Sequence, residues 1–263
     1  MPFTVAHAAA ALPFRRLNLV WSAFLMGSMA PDFPYVVGNV EYRALGHNFP
    51  GVLLFTLPAS FAALWFYHWT IKRPITGLLP IGVQQRLNGE LGEFRFGGGR
   101  RFTAITVSIV LGIATHLLWD SFTHAYTWPW LHFAWLRSGI DLPDGRWMSM
   151  TMILQYASTL LGLVALGVWI LLWYRQTAPV ADAASPPAQS HVLLAGMMFA
   201  IAIATGLLRA SLLPGVMLGH LRHVDWFLLN FATTAIAVSF WELLFYCLIT
   251  TSREYASRRL SSA

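Results

Sequence analysis

The chain has 263 residues, of which 57% are hydrophobic and only 11% are charged. Soluble domains carry about 25% charged residues, so this composition excludes an ordinary water-soluble fold and indicates an integral membrane protein. The net charge of +6 comes without a dense basic patch or nucleic-acid motif, which favours loops facing anionic headgroups over a nucleic-acid partner.

The N-terminal part, residues 1–48, contains two apolar stretches that are each too short to cross a bilayer, Thr4–Leu12 and Leu17–Met29. A proline and two arginines separate them. We predict a helical hairpin that enters the membrane part-way and returns, which requires protein or water to cover its broken backbone. No basic residue precedes Arg15, so a cleaved signal peptide is not indicated, and we expect the hairpin in the mature protein.

Five later stretches are long enough to span a bilayer as helices, which takes about 20 apolar residues. They are Phe49–Ile71, Phe102–Phe122, Met148–Trp173, Val192–Leu213 and Trp226–Thr250. None alternates with the period of a barrel strand. The predicted fold is therefore all-α: a polytopic membrane protein with about five transmembrane helices plus the N-terminal half-membrane hairpin.

A stretch rich in Ala, Pro and Ser, Gln176–Ser190, is typical of a disordered linker. We therefore predict a metal-site membrane module over residues 1–174, a flexible linker over 175–191, and a C-terminal two-span pair with a basic tail over 192–263. The segment between the second and third spans is rich in tryptophan, which indicates an interfacial belt or, alternatively, a platform for a lipid substrate. These tryptophans are Trp128, Trp130, Trp135 and Trp147.

Ionisable side chains concentrate near one end of the first two spans, where charges are expensive and usually functional. The six candidates are His7, Asp32, His47, His116, Asp120 and His124. The spacing of His116, Asp120 and His124 places these three on one face of a helix. Antiparallel packing of the first two spans brings His47 to the same end, and the hairpin brings the remaining two there.

Imidazole and carboxylate groups together suit a divalent metal, with zinc first and manganese or iron as alternatives. Six such groups exceed one tetrahedral site. Either some of them orient the ligands, or two ions share a bridging carboxylate. His124 is a ligand or a general acid or base, and Asp32 is the second candidate catalytic residue. The competing hypothesis is a hydrogen-bond network that only positions the hairpin.

A family resemblance rests on four segments: 1–7 (MPFTVAH), 27–33 (GSMAPDF), 46–51 (GHNFPG) and 116–124 (HLLWDSFTH). They resemble an uncharacterised family of bacterial inner-membrane proteins with the motifs MPFTxSH, GSxxPDF, GHS and HxxxDxxTH. Ala6 and Asn48 stand where that family has serine. More loosely, the pattern is similar to that of the membrane-bound metal-dependent hydrolases, which resemble zinc-dependent phospholipase C.

This resemblance implies metal-dependent hydrolysis of an ester or phosphoester, with a membrane lipid or envelope component as substrate. Two other functions stay open: a non-catalytic metal- or lipid-binding membrane protein, and a transporter that uses the His/Asp cluster. A cluster open to one side favours an enzyme. A cluster that continues across the membrane through Glu242 favours transport.

Basic residues are unevenly divided between the two sides of the five-span chain. One side has ten, in the loop between the first two spans, the linker and the tail: Lys72, Arg73, Arg86, Arg95, Arg100, Arg101, Arg175, Arg253, Arg258 and Arg259. The other side has four: Arg43, Arg137, Arg146 and Arg222. Because cytoplasmic loops are rich in Lys and Arg, we predict a cytoplasmic C-terminus and a His/Asp cluster that faces the periplasm or outside.

A pair of reporters fused after Ala263 tests this orientation. We expect a fluorescent-protein fusion to be bright and an alkaline phosphatase fusion to be inactive, because the phosphatase needs disulfides that do not form in the cytoplasm. Strong phosphatase activity together with a dark fluorescent fusion would place the tail outside and contradict the prediction.

Overall fold

The computed structural model describes the backbone of residues 4–36, 46–143, 145, 147–180, 188–212 and 219–261. Five helical segments in these ranges are long and apolar enough to cross a membrane. They are Phe49–Leu78, Gly99–His132, Met150–Gln176, Val192–Leu212 and Asn230–Ser257, named here the first to fifth spans. The predicted fold class, an all-α polytopic membrane protein with about five spans, is confirmed.

The chain divides into two compact units. The first comprises Met1–Tyr35, Asn39–Trp65 and Arg95–Gln176, and the second comprises Val36–Gly38, Phe66–Phe94 and Thr177–Ala263. All six candidate site residues belong to the first unit, whereas Glu242 belongs to the second. The predicted linker over 175–191 lies partly outside the described residues, and the predicted domain boundaries stay a prediction.

The N-terminal hairpin consists of a 3₁₀ helix, Thr4–Phe14, and an α-helix, Trp21–Met29. A 3₁₀ turn, Ala30–Asp32, and a short helix, Phe33–Val36, follow. The first helix passes its predicted end at Leu12 and includes Pro13. Proline lacks the N–H that would continue the helix, and the helix ends one residue later at Phe14.

Glycines let the hairpin helix Trp21–Met29 pack closely against the second span, whose α-helix is Gly99–Thr123. A Cβ added at Gly27 would lie 2.2 Å from the Ile109 carbonyl oxygen, and one at Gly112 would lie 2.3 Å from the Phe24 carbonyl oxygen. Small residues at such contacts let helix backbones approach in membranes. The hairpin is therefore held directly on the backbone of the second span.

The first span continues to Leu78, past the predicted end at Ile71. The helix continues past Lys72 with its charge paired, because the Lys72 Nζ donates to the Glu90 and Gly92 carbonyl oxygens at 3.0 and 2.7 Å. The span is built from Phe49–Gly51, Val52–Thr56, Leu57–Phe66, Tyr67–Ile71 and Lys72–Leu78, of which the second and fourth are π-helical. A helix, Ile81–Leu87, and a 3₁₀ turn, Asn88–Leu91, follow.

A connecting segment, residues 124–149, joins the α-helix of the second span, which ends at Thr123, to the helix that begins at Met150, although the apolar stretch of the second span runs on to His132. It contains a helix, Trp128–His132, and a 3₁₀ turn, Ala134–Arg137. Two antiparallel strands, Gly139–Asp141 and Trp147–Ser149, pair Gly139 with Ser149. The sequence did not predict this pair of strands, since strands of three residues are too short to show a period-2 pattern.

The helices Met150–Gln176 and Ala188–Leu212 contain the third and fourth spans. A single helix of 43 residues, Gly219–Ser261, contains the fifth. At 1.5 Å per residue it is about 65 Å long, roughly twice the thickness of a hydrocarbon core. The helix therefore extends well beyond the predicted span Trp226–Thr250.

We expect Gly27→Ala to lower the stability of the protein, because the added methyl group meets the Ile109 backbone and forces the two helices apart. Overpacking of this kind costs about 1–3 kcal/mol. The measurement is the thermal unfolding midpoint in detergent. Gly167→Ala in the third span is the matched control, because a Cβ there meets nothing within 4 Å. Equal midpoints for the two variants would contradict the close contact.

Candidate metal centre

Four side chains of the first unit meet in one cluster: Asp32, His47, His116 and Asp120. Each offers one ligand atom, and these atoms all lie within 4.8 Å of one another. Asp32, His116 and Asp120 are buried, and the His47 side chain is 18% exposed. The structure thus brings together four of the six predicted site residues.

The Asp120 carboxylate lies between the imidazoles. Its Oδ2 atom is 3.3 Å from His47 Nε2, 3.6 Å from His116 Nε2 and 3.8 Å from His124 Nδ1. Its Oδ1 atom is 3.4 Å from His7 Nε2. His7 and His124 therefore adjoin the group of four through Asp120 without belonging to it.

Asp32 is the second carboxylate of the cluster and comes from the 3₁₀ turn that ends the hairpin. Its Oδ1 atom is 3.7 Å from His116 Nε2 and 3.9 Å from His47 Nε2. The Thr4 hydroxyl donates a hydrogen bond of 2.8 Å to its Oδ2 atom. This bond fixes the carboxylate so that its other oxygen faces the imidazoles.

His116 is oriented by the backbone of the hairpin. Its Nδ1 atom is 2.8 Å from the Ser28 carbonyl oxygen, and since a carbonyl only accepts, Nδ1 carries the proton. The Nε2 lone pair then points toward the two carboxylates. Histidine ligands of metals are commonly held in this way by a hydrogen bond at the other ring nitrogen.

His7 is fully buried and stacks on His116, with the ring centroids 4.0 Å apart. The edge of Trp119 covers it at a centroid distance of 5.2 Å. Burial, and next the His116 imidazole, lower the pKa of His7 to about 3, so the ring is neutral. Neighbouring Ala6 lies against the third span, where a Cβ on Gly162 would be 3.0 Å from the Ala6 carbonyl oxygen. The small residue at position 6 is thus explained by packing.

His47 reaches the cluster from the residues that begin the first span. A Cβ on Gly46 would lie 2.0 Å from the Pro31 carbonyl oxygen, so only glycine permits this approach of the two segments. The Asn48 side chain accepts a 2.7 Å hydrogen bond from the Gly51 amide and caps the span. Asparagine and serine are both good N-caps, so the departure from the GHS motif keeps the cap.

The unsatisfied polar atoms of the cluster fit a divalent cation. Within the described residues, His116 Nε2 and Asp32 Oδ1 are buried, lie 3.7 Å apart and have no hydrogen-bond partner. Zinc ligands lie about 2.0–2.2 Å from the ion, so tetrahedral ligand atoms are about 3.4 Å apart, close to the separations observed here. Two carboxylate ligands also suit a divalent ion. A cation bound between these atoms would satisfy both of them, and unpaired polar atoms are costly in membrane interiors.

His124 ends the helix of the second span and lies at the open side of the cluster. Its Nδ1 atom is 3.1 Å from the Asp120 carbonyl oxygen and is therefore the protonated nitrogen, which leaves acid–base chemistry to Nε2. Its side chain is 17% exposed, whereas that of His116 is fully buried. The site is thus reached from the ends of the first two spans, where His47 and His124 lie.

Two residues that position the cluster were not identified from the sequence: Thr4, which holds Asp32, and Ser28, whose carbonyl orients His116. Both lie inside the segments MPFTVAH and GSMAPDF. The motif segments therefore pointed to the positions of Thr4 and Ser28. The role of Ser28 could not be read from its residue type, because its backbone carbonyl makes the contact.

Comparison with known proteins places most of the chain in one family. The family described as "Domain of unknown function (DUF4184)" matches residues 1–248. No protein with a curated description and no solved structure matches the chain.

We expect protein purified in detergent without chelators to carry about one equivalent or more of a divalent metal, because the buried donor atoms need a cation. The double variant His116→Ala/Asp120→Ala should lose it. His132→Ala, which removes an exposed histidine of the connecting segment, is the control and should retain the metal. Elemental analysis measures the content. Less than about a tenth of an equivalent in both wild type and double variant would exclude a metal site.

Proposed function

The chain belongs to the DUF4184 family, and from this premise we propose that it is a membrane-bound, metal-dependent hydrolase of an ester or phosphoester. The observation that carries the proposal is the group Asp32, His47, His116 and Asp120, whose buried ligand atoms converge on one position. Its opening beside His47 and His124 further supports an enzyme, because a hydrolase must admit substrate and water.

The four residues of the group would hold the ion, with zinc as the first choice for this mixture of nitrogen and oxygen donors. A divalent ion in such a site supplies Lewis-acid chemistry: it polarises the scissile group and lowers the pKa of water. Thr4 and the Ser28 carbonyl orient Asp32 and His116. His7 packs against His116 and excludes water from the inner side of the cluster.

His124 would act as the general acid or base. It lies outside the group of four, is partly exposed, and has its Nδ1 proton engaged with the Asp120 carbonyl oxygen. Its Nε2 atom can therefore exchange a proton with a substrate or water at the open side. General acid–base catalysis of this kind contributes about 10²–10⁴-fold to rate.

We further propose a bacterial inner membrane as the location, with the C-terminus cytoplasmic and the site open to the periplasm or outside. The support is the excess of Lys and Arg on the opposite side of the membrane. A site on the outer face suits a membrane lipid or envelope component as substrate.

Two variants test the proposed hydrolysis and separate its parts. We expect His124→Gln to keep its metal and lose about 10²–10⁴-fold in rate, because only proton transfer is removed. Asp32→Asn should lose both metal and activity while keeping its fold, since the amide is isosteric. The measurement is release of product from a broad panel of lipid and phosphoester substrates by metal-loaded protein.

Glu90→Gln, which replaces an exposed carboxylate of the second unit, serves as the control and should match wild type in both metal content and rate. If metal-loaded wild type leaves the whole panel untouched, hydrolysis is wrong. A metal-binding scaffold or a transporter then becomes the better hypothesis.

A further inference from the structure

The connecting segment has both anchored residues and exposed apolar residues. Leu136 is fully buried, and Pro129 is buried in the helix Trp128–His132. Other apolar side chains of the segment are exposed, and we name them together the aromatic surface. They are Trp128, Leu131, Phe133, Trp135 and Trp147, with exposures of 64, 55, 40, 49 and 58%.

Packing and hydrogen bonds hold the segment that carries the aromatic surface in place. The 3₁₀ turn Ala134–Arg137 and the second strand pack against the third span. The Arg137 guanidinium donates to the Trp130 and Leu131 carbonyl oxygens, which satisfies the end of the short helix. Exposed apolar residues that are grouped on a firmly anchored segment mark interaction sites. We therefore expect the aromatic surface to bind a partner.

The position of the connecting segment in the chain indicates which partner binds the aromatic surface. It runs from the end of the second span's helix at Thr123 to the start of the third span's helix at Met150, so both of its ends are fixed where spans leave the bilayer. Tryptophan prefers the headgroup level, where one side of the ring is apolar and its N–H is wet. Arginine can meet lipid phosphates at the same level. The composition and the two fixed ends both favour the lipid interface over a protein.

The aromatic surface also begins beside the cluster. Only three residues separate His124 from Trp128, and the Thr127 hydroxyl is 3.0 Å from the His124 carbonyl oxygen. Between them, Tyr126 has a φ of 63° and turns the chain sharply, and its ring lies 4.9 Å from that of Trp130. The open side of the cluster and the aromatic surface are therefore joined by one short turn.

We propose that the aromatic surface lies in the lipid interface of the bilayer and delivers membrane lipids to the His/Asp cluster. The lipid-delivery part rests on the proposed hydrolytic function. The substrate class is then a bilayer lipid whose ester or phosphoester lies at headgroup depth. It is not a water-soluble compound.

Spin labels test the surface without any activity. The full chain, with Cys247 replaced by Ala, carries a label at Leu131→Cys or Trp135→Cys and is reconstituted in vesicles of phosphatidylethanolamine and phosphatidylglycerol. Val168→Cys in the third span is the lipid-facing control, and Asn88→Cys in an exposed turn is the polar control. We expect both surface labels to relax with oxygen, as at 168, and to be shielded from a water-soluble nickel complex.

Two results would overturn the surface assignment. Labels as open to the nickel complex as the one at Asn88 would place the surface in water. Labels shielded from both reagents would mean that a second copy of the chain covers it.

Paired substrates test lipid delivery. We expect Leu131→Ser/Trp135→Ser to slow hydrolysis of a vesicle lipid about tenfold, and to leave a short-chain soluble analogue within about twofold, because only entry from the interface is impaired. Equal loss on both substrates, or on neither, would refute delivery. If wild type hydrolyses nothing, the proposed function fails together with lipid delivery, while the labels still decide where the surface lies.

Discussion

The first unit depends on one constraint: the carboxylate of Asp120 is buried among helices that lie in a membrane, where an unpaired charge is expensive. Its neighbours come from separate parts of the chain: His7 from the N-terminal 3₁₀ helix, His47 from two residues before the first span, and His116 and His124 from its own helix. These contacts with Asp120 hold the N-terminal hairpin beside the second span, although its helix Thr4–Phe14 is too short to cross a bilayer. The site and the unusual fold of residues 4–36 have the same physical cause.

Close backbone contact makes these pairings reachable. Gly27 and Gly112 let the hairpin helix touch the second span, and this contact carries the Ser28 carbonyl to His116. Gly46 lets the segment of His47 approach the backbone of Pro31. Gly162 lets the third span approach the N-terminal helix that bears His7. With no hydrophobic drive between helices in lipid, small residues and hydrogen bonds must supply the association. The glycines are therefore part of the site, although none of them offers a ligand.

The sequence predicted the spans and the helix face of His116, Asp120 and His124, because hydropathy and the period of 3.6 are local properties. It also predicted that the hairpin carries polar groups to one end of the first two spans. It could not predict which groups share a position: Asp32 and His47 join the group of four, whereas His7 does not. That outcome depends on contacts such as Ser28 with His116, which involve backbone atoms and leave no residue pattern. The predicted end of the first span at Ile71 was wrong for a similar reason. The Glu90 and Gly92 carbonyl oxygens that accept from Lys72 lie 18 and 20 residues further along the chain.

The two oxygens of Asp120 bear on the choice between one ion and two. Oδ2 lies 3.3–3.8 Å from three imidazoles, whereas Oδ1 has its contact within the described residues at His7 Nε2, 3.4 Å away. A second ion beside Oδ1 would find only two protein ligands among the described residues, fewer than the three of a typical catalytic site. Asp120 as a ligand oriented from behind by a neutral His7 satisfies the same geometry with one ion. In many metal sites a carboxylate orients a histidine ligand. Here the roles are exchanged: Asp120 is the ligand and the His7 imidazole orients it. The geometry therefore favours one ion, with His7 as a positioning residue.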